Sequence, residues 1–202
     1  MVKKIKTKRS GKEFFKRQYG ETFKYLFSIK NNLKIVFYLF LFSALVGFFV
    51  PLPEALSMQI FEYIEDIISQ TEGFVFIDWF GFIFLNNLQS SFFSLLGGFF
   101  LGIFPIIATL VNGFLLGFVS NWSVSLEGVI SLWRLFPHGI FELPAIFISF
   151  ACGLKLGMFV FHKDMKKAFK ESFIGGMKVF LLVVLPLLLV AAIIESAFIY
   201  LG

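Results

Sequence analysis

His138 and Glu142 are the two side chains whose types and spacing are best suited to chemistry. They stand in the stretch Phe136-Pro137-His138-Gly139-Ile140-Phe141-Glu142-Leu143-Pro144-Ala145, at the head of a segment otherwise apolar enough to lie in lipid. A proline followed by a flexible glycine suits a helix N-terminus, and a spacing of four sets the imidazole and the carboxylate on one helical face. Ionisable groups at such a depth are costly, which marks the pair as a functional candidate with a partner to be found. The same reasoning selects Asn87, Asn112 and Glu195, polar residues in apolar runs, as further members of an intramembrane polar cluster.

Several chemistries are poorly supplied. A catalytic zinc site needs three protein ligands, and the sequence has two histidines, with His162 expected at the membrane face opposite His138. No GxSxG nucleophile turn accompanies Ser90, Ser91 or Ser131. Gly97-Gly98 and Gly175-Gly176 lack the strand and spacing of a phosphate-binding loop. The single cysteine, Cys152, lies in an apolar run and reads as a buried structural thiol. We therefore expect no enzyme, no catalytic residue, no metal and no cofactor.

The elements that must position these groups follow from composition. Hydrophobic residues make up 58% of the chain and charged residues 15%, with 32 phenylalanines, far from soluble usage. The fold class is all-α: a polytopic membrane helical bundle of about five spans with amphipathic helices at the interfaces. Charge is sorted by region. Residues 1–34 hold eleven Lys or Arg against two Glu, whereas residues 54–78 hold six acids and no base. The positive-inside rule then makes the N-terminus cytoplasmic and the acidic segment external. A basic stretch abutting a span fits anionic lipid headgroups and the bilayer, and nothing around it resembles a nucleic-acid fold.

In chain order, residues 1–32 read as a basic cytoplasmic tail and an interfacial helix, and residues 33–202 as the transmembrane domain. Spans are expected at about 33–50, 82–103, 105–121, 140–161 and 178–199. Pro51 and Pro53 end the first, the acidic segment lies on the outer surface as an amphipathic helix, and the turn between the second and third falls at residues 102–105. Residues 82–121 could instead form a re-entrant pair. Trp122 and Trp133 belong to an outer loop, Lys155 snorkels inward, residues 162–178 form a basic inner loop, and Pro186 kinks the last span. Gly98, Gly102, Gly113, Gly117, Gly153 and Gly157 repeat at close to helical spacing and are expected at helix contacts. The C-terminus is external, in the cell membrane of a prokaryote.

Asn87, Asn112-Gly113 and above all Pro137-His138-Gly139 with Glu142 and Ala145 resemble the stage II sporulation protein M family, over most of the chain after Leu33. In spore formers the resemblance implies a membrane scaffold that recruits peptidoglycan-cleaving partners, and it implies no catalytic residue. Two functions are thus expected to compete. One is a non-enzymatic scaffold or anchor with protein partners or a second copy of itself. The other is a small channel or transporter for an ion, lipid or small solute, which would use the polar cluster.

Overall fold

The computed structural model describes residues 11–135 and 138–201, helical almost throughout and without a strand. In chain order the helices are α1 (Gly11–Ser28), α2 (Lys30–Phe49), α3 (Glu54–Gln70), α4 (Phe76–Gly97), α5 (Ile103–Glu127), α6 (Leu143–Gly157), α7 (Met165–Val179) and α8 (Leu185–Leu201). The basic tail at residues 1–10 lies outside the described residues.

Four helical stretches are long and apolar enough to cross a membrane: Lys30–Phe49, Ile103–Glu127, Gly139–Phe161 and Met165–Leu201. The second expected span, 82–103, corresponds to α4, whose 22 residues reach about 33 Å. Asp78, Asn86, Asn87 and Gln89 dilute its apolar character. It nevertheless packs within the bundle, against α6 and α8.

Boundaries follow local chemistry. α2 stops where Pro51 forces Val50 into an extended conformation (ψ 116°), because the residue before a proline is driven out of the helical region. At the start of α4, Asp78 Oδ2 accepts the Val75 N–H at 3.1 Å, so the acid closes the helix entrance. The inner turn runs from Gly98 to Gly102, earlier than the expected 102–105. Pro105 instead falls in the first turn of α5, where its missing N–H is no loss. Left-handed conformations at Leu101 (φ 56°) and Gly102 (φ 74°) reverse the chain there.

Two expected loops are helical. The outer segment continues α5 to Glu127 and then forms a 3₁₀ turn, Val129–Leu135. The inner basic loop is α7, which joins α8 through a π-helical turn, Phe180–Val184. A second π turn, His138–Glu142, opens α6. Each is followed, two residues later, by a proline, Pro186 or Pro144. A proline in a helix cannot donate to the carbonyl four residues back and crowds it. Those carbonyls belong to Leu182 and Ile140, inside the two widened turns. The disturbance expected at Pro186 is therefore a π turn just ahead of it.

Helix contacts are built on glycine. A Cβ placed on Gly113 would stand 2.5 Å from the Phe40 carbonyl oxygen, and Cβ atoms on Gly117 and Gly47 would collide with the carbonyls of Ala44 and Phe114. These contacts make α2 and α5 a parallel pair, reinforced by the Ser43 hydroxyl donating to the Leu110 carbonyl. A second parallel seam joins α4 to α6. A Cβ on Gly153 would lie 2.6 Å from the Ser94 carbonyl oxygen, one on Gly98 would strike the Gly153 carbonyl, and one on Gly157 would strike the backbone of the inner turn at Gly102. Between the seams lies the apolar core, centred on Leu95, Ala145, Phe150, Val184 and Leu188.

These approaches predict a contrast between glycines. Gly117→Ala should lower the melting midpoint by an amount corresponding to about 1–3 kcal/mol of overpacking. Gly20→Ala, with nothing within 4 Å of its Cβ position, should be neutral or stabilising. Thermal unfolding of both variants in one detergent tests the difference, and equal midpoints would contradict it.

Candidate functional site

Polar side chains inside the bundle fall into an outer group and an inner group. Glu142, the last residue of the π turn, is 2% exposed. The turn packs against α8, which carries Glu195 about six residues from its end, with one carboxylate oxygen buried. The side chain of His138, and all of Phe136 and Pro137, lie outside the described residues.

Depths can be read from cross-helix pairs. Ser149 Oγ donates to the Ser91 carbonyl at 2.8 Å, and Gly157 meets Gly102, so α4 and α6 run parallel. That register sets Glu142 level with residues 84–87 of α4, within a turn of Asn87. Ring contacts of Phe76 with Tyr200 and of Phe92 with Phe180 set α4 antiparallel to α7 and α8. Asn87 is then level with residues 185–189, about 9–15 Å deeper than Glu195 at 1.5 Å per residue. Glu142 and Glu195 therefore belong to elements that pack on each other, with Asn87 level with Glu142 and Glu195 nearer the C-terminal end of α8.

Asn112 stands apart. It lies on α5, whose principal partner is α2, and its Nδ2 donates to its own-helix Ala108 carbonyl at 2.8 Å. Next to it Gly113 packs on α2, so the amide sits beside a helix seam. The small-residue positions Gly98, Gly102, Gly113, Gly117, Gly153 and Gly157 all meet neighbouring elements: Gly113 and Gly117 face α2, Gly98 faces α6, Gly153 faces α4, Gly102 faces Leu154 of α6, and Gly157 faces the backbone at Leu101 and Gly102. Ser149 was not among the sequence-selected residues, although it is fully buried and bridges α4 and α6. Its signal was present as a hydroxyl four residues before Gly153 on the same stripe.

The inner group joins α1 to the ends of α6 and α7. The Tyr25 hydroxyl donates to the Ser172 carbonyl at 3.0 Å, and its ring occupies the space that a Cβ on Gly175 would need. Lys155 Nζ donates to Ser28 Oγ at 2.6 Å and lies 4.8 Å above the Tyr25 ring. Lys178 Nζ donates to Glu21 Oε2. That hydrogen bond holds the Glu21 carboxyl below its ordinary range, and burial pushes the Tyr25 phenol well above its own. The Gly175-Gly176 pair, without phosphate-loop context in the sequence, is thus the seat for an aromatic ring. Lys155, expected to snorkel toward water, reaches onto α1.

Residues 36–199 match the family described as Stage II sporulation protein M. The chain belongs to this family. It is also similar to an uncharacterised protein of Methanocaldococcus jannaschii, 32% identical over 121 residues, which are 56% of this chain and 66% of that relative. No solved structure matches it.

The outer pair predicts a coupling. Glu142→Ala should destabilise by about 1–3 kcal/mol, because the groups that surround a buried carboxylate lose their acceptor. If Glu142 and Glu195 share surroundings, the Glu142→Ala, Glu195→Ala cycle should be non-additive by about 0.5 kcal/mol or more. Melting midpoints of the four proteins measure this, and strict additivity would separate the two residues.

Proposed function

We propose that this member of the family is a non-enzymatic membrane scaffold, set in the cell membrane of a prokaryote with its N-terminus inside and C-terminus outside. The observation that carries the reading is α3. This seventeen-residue helix has no buried residue, yet it is anchored on the bundle by Phe61, whose ring meets Phe118 and Trp122 at centroid distances of 5.4 and 5.0 Å. Ile60, Ile64 and Ile67 are half-buried, whereas Glu62, Glu65 and Asp66 are exposed. An acidic, projecting helix held by an aromatic anchor is an arrangement for presenting a surface.

The interior supports the same reading. A transporter needs a continuous polar path between leaflets, and the small-residue stripes available to line one are filled by neighbouring backbone. The hydroxyls of Thr109, Ser120 and Ser196 donate to carbonyls of their own helices. The scaffold's partners are envelope proteins on the outer side, with the acidic face selecting basic segments.

Two measurements test the proposal. Single cysteines at Glu62 and Lys167, in a Cys152→Ala background, should react with an impermeant reagent from opposite sides of intact cells; reaction of both from outside would refute the orientation. A photo-crosslinker at Ser69 on α3 should trap a discrete partner, and the charge reversal Glu62→Lys, Glu65→Lys, Asp66→Lys should abolish the adduct without shifting the melting midpoint. Solute flux through proteoliposomes well above protein-free background would favour a conduit instead.

A further inference from the structure

On the inner face, α1, α6 and α7 enclose an open cavity of about 620 Å³. Its lining includes three lysines from separate places in the chain: Lys155 near the end of α6, Lys163 in the connecting turn and Lys167 in the first turn of α7. His162 adds a titratable imidazole, and Ser28 and Tyr25 contribute hydroxyls. Of the two acids, Asp164 is engaged as a cap, its Oδ1 accepting the Lys167 N–H at 3.0 Å, and Glu171 is exposed, within electrostatic reach of Lys155. Lys155 is held over Tyr25 and bonded to Ser28, and no ion pair joins it to a carboxylate among the described residues.

We infer that this cavity binds the phosphodiester headgroup of an anionic lipid from the inner leaflet. Three amines around one concavity match a compact anion with several acceptor oxygens, each ammonium offering three donors. Depth selects a lipid over a soluble phosphate. Lys155 lies two residues before the end of α6 and six before the end of the apolar stretch Gly139–Phe161, about 9 Å inside it, so the cavity floor reaches to headgroup level. Acyl chains have an adjoining surface: Phe15, Tyr19, Phe23 and Phe27 of α1 are 45–75% exposed. A helix with such a face lies in the plane of the interface, its rings among the chains and its cations at the headgroups. The cleft on the other side of Tyr25 adjoins it, lined by Lys167, Lys170 and Lys178 together with Glu21 and Glu171, Lys178 being paired with Glu21. The bound lipid would join α1 to α7 from below, adding to the Tyr25–Ser172 hydrogen bond. This site is independent of the scaffold role, which concerns the opposite face, but its assignment to the inner leaflet rests on the orientation proposed above.

The test uses the purified full chain in a zwitterionic detergent, titrated with short-chain phosphatidylglycerol, phosphatidylcholine of the same chain length, or inorganic phosphate, while the melting midpoint is followed. Phosphatidylglycerol should raise the midpoint saturably, phosphatidylcholine should not, and inorganic phosphate should act only at much higher concentration. K163Q/K167Q removes two exposed amines and should fold like the parent while binding phosphatidylglycerol about thirty-fold more weakly. K30Q/K34Q removes the same charge from the start of α2, outside the cavity, and should bind as the parent does. Equal weakening in both variants would reduce the effect to general surface charge and overturn the site. So would full retention of binding by K163Q/K167Q, or protection by inorganic phosphate at the concentrations where the lipid acts.

Discussion

The structure depends on backbone meeting backbone where a side chain would intrude. In lipid, apolar surface gains little by leaving one apolar neighbour for another, so helices associate through close packing and polar contacts. Here that packing is concentrated at Gly47, Gly113 and Gly117 between α2 and α5, and at Gly98, Gly153 and Gly157 between α4 and α6. Each seam also carries a hydroxyl donating to a carbonyl across it, Ser43 to Leu110 and Ser149 to Ser91. The two parallel pairs fix which faces remain for α8, for the π turn carrying Glu142, and for the inner turn seated on Gly157.

This constraint links fold to function. Filling the seams with backbone leaves the bundle interior as packing, and places the exposed, charged and aromatic features at the two ends. At one end, Phe61 pins an acidic helix to the C-terminal part of α5. At the other, Gly175 admits the ring of Tyr25 and so docks α1 on α7, bringing Lys155, Lys163 and Lys167 around one cavity. In both places an aromatic side chain fixes an amphipathic helix to the end of a span.

Much of this was legible in the sequence, at the level of elements. Charge asymmetry separated a basic side from an acidic one, Pro51 marked the end of α2, and glycine spacing marked the faces that contact other helices. Spacing identifies a face but not its neighbour, which is why the α4 and α5 stripes, adjacent in sequence, meet α6 and α2 rather than each other. The lysines of residues 162–178 suggested a loop because charge reports the membrane side rather than the backbone conformation. Ser172, Gly176 and Val179, all buried, form the inward stripe of what is an amphipathic helix. Asn87 and Asn112 were grouped with Glu142 and Glu195 by polarity alone. Depth depends on helix register, and the register came from ring pairs such as Phe76 and Tyr200 that no periodicity specifies.

The central claim is that the α4–α6 seam is closed by direct backbone contact, and disulfide trapping tests it most directly. Cysteines replacing Ser91 and Ser149, in a Cys152→Ala background, substitute side chains of similar size at the point where one serine bonds the other's carbonyl. A disulfide requires Cα atoms within about 7 Å. The account predicts rapid, near-complete intramolecular cross-linking in native membranes, with little for cysteines at Ser90 and Ser149. Failure of the Ser91–Ser149 pair to form under oxidation, in a protein that still folds, would contradict it.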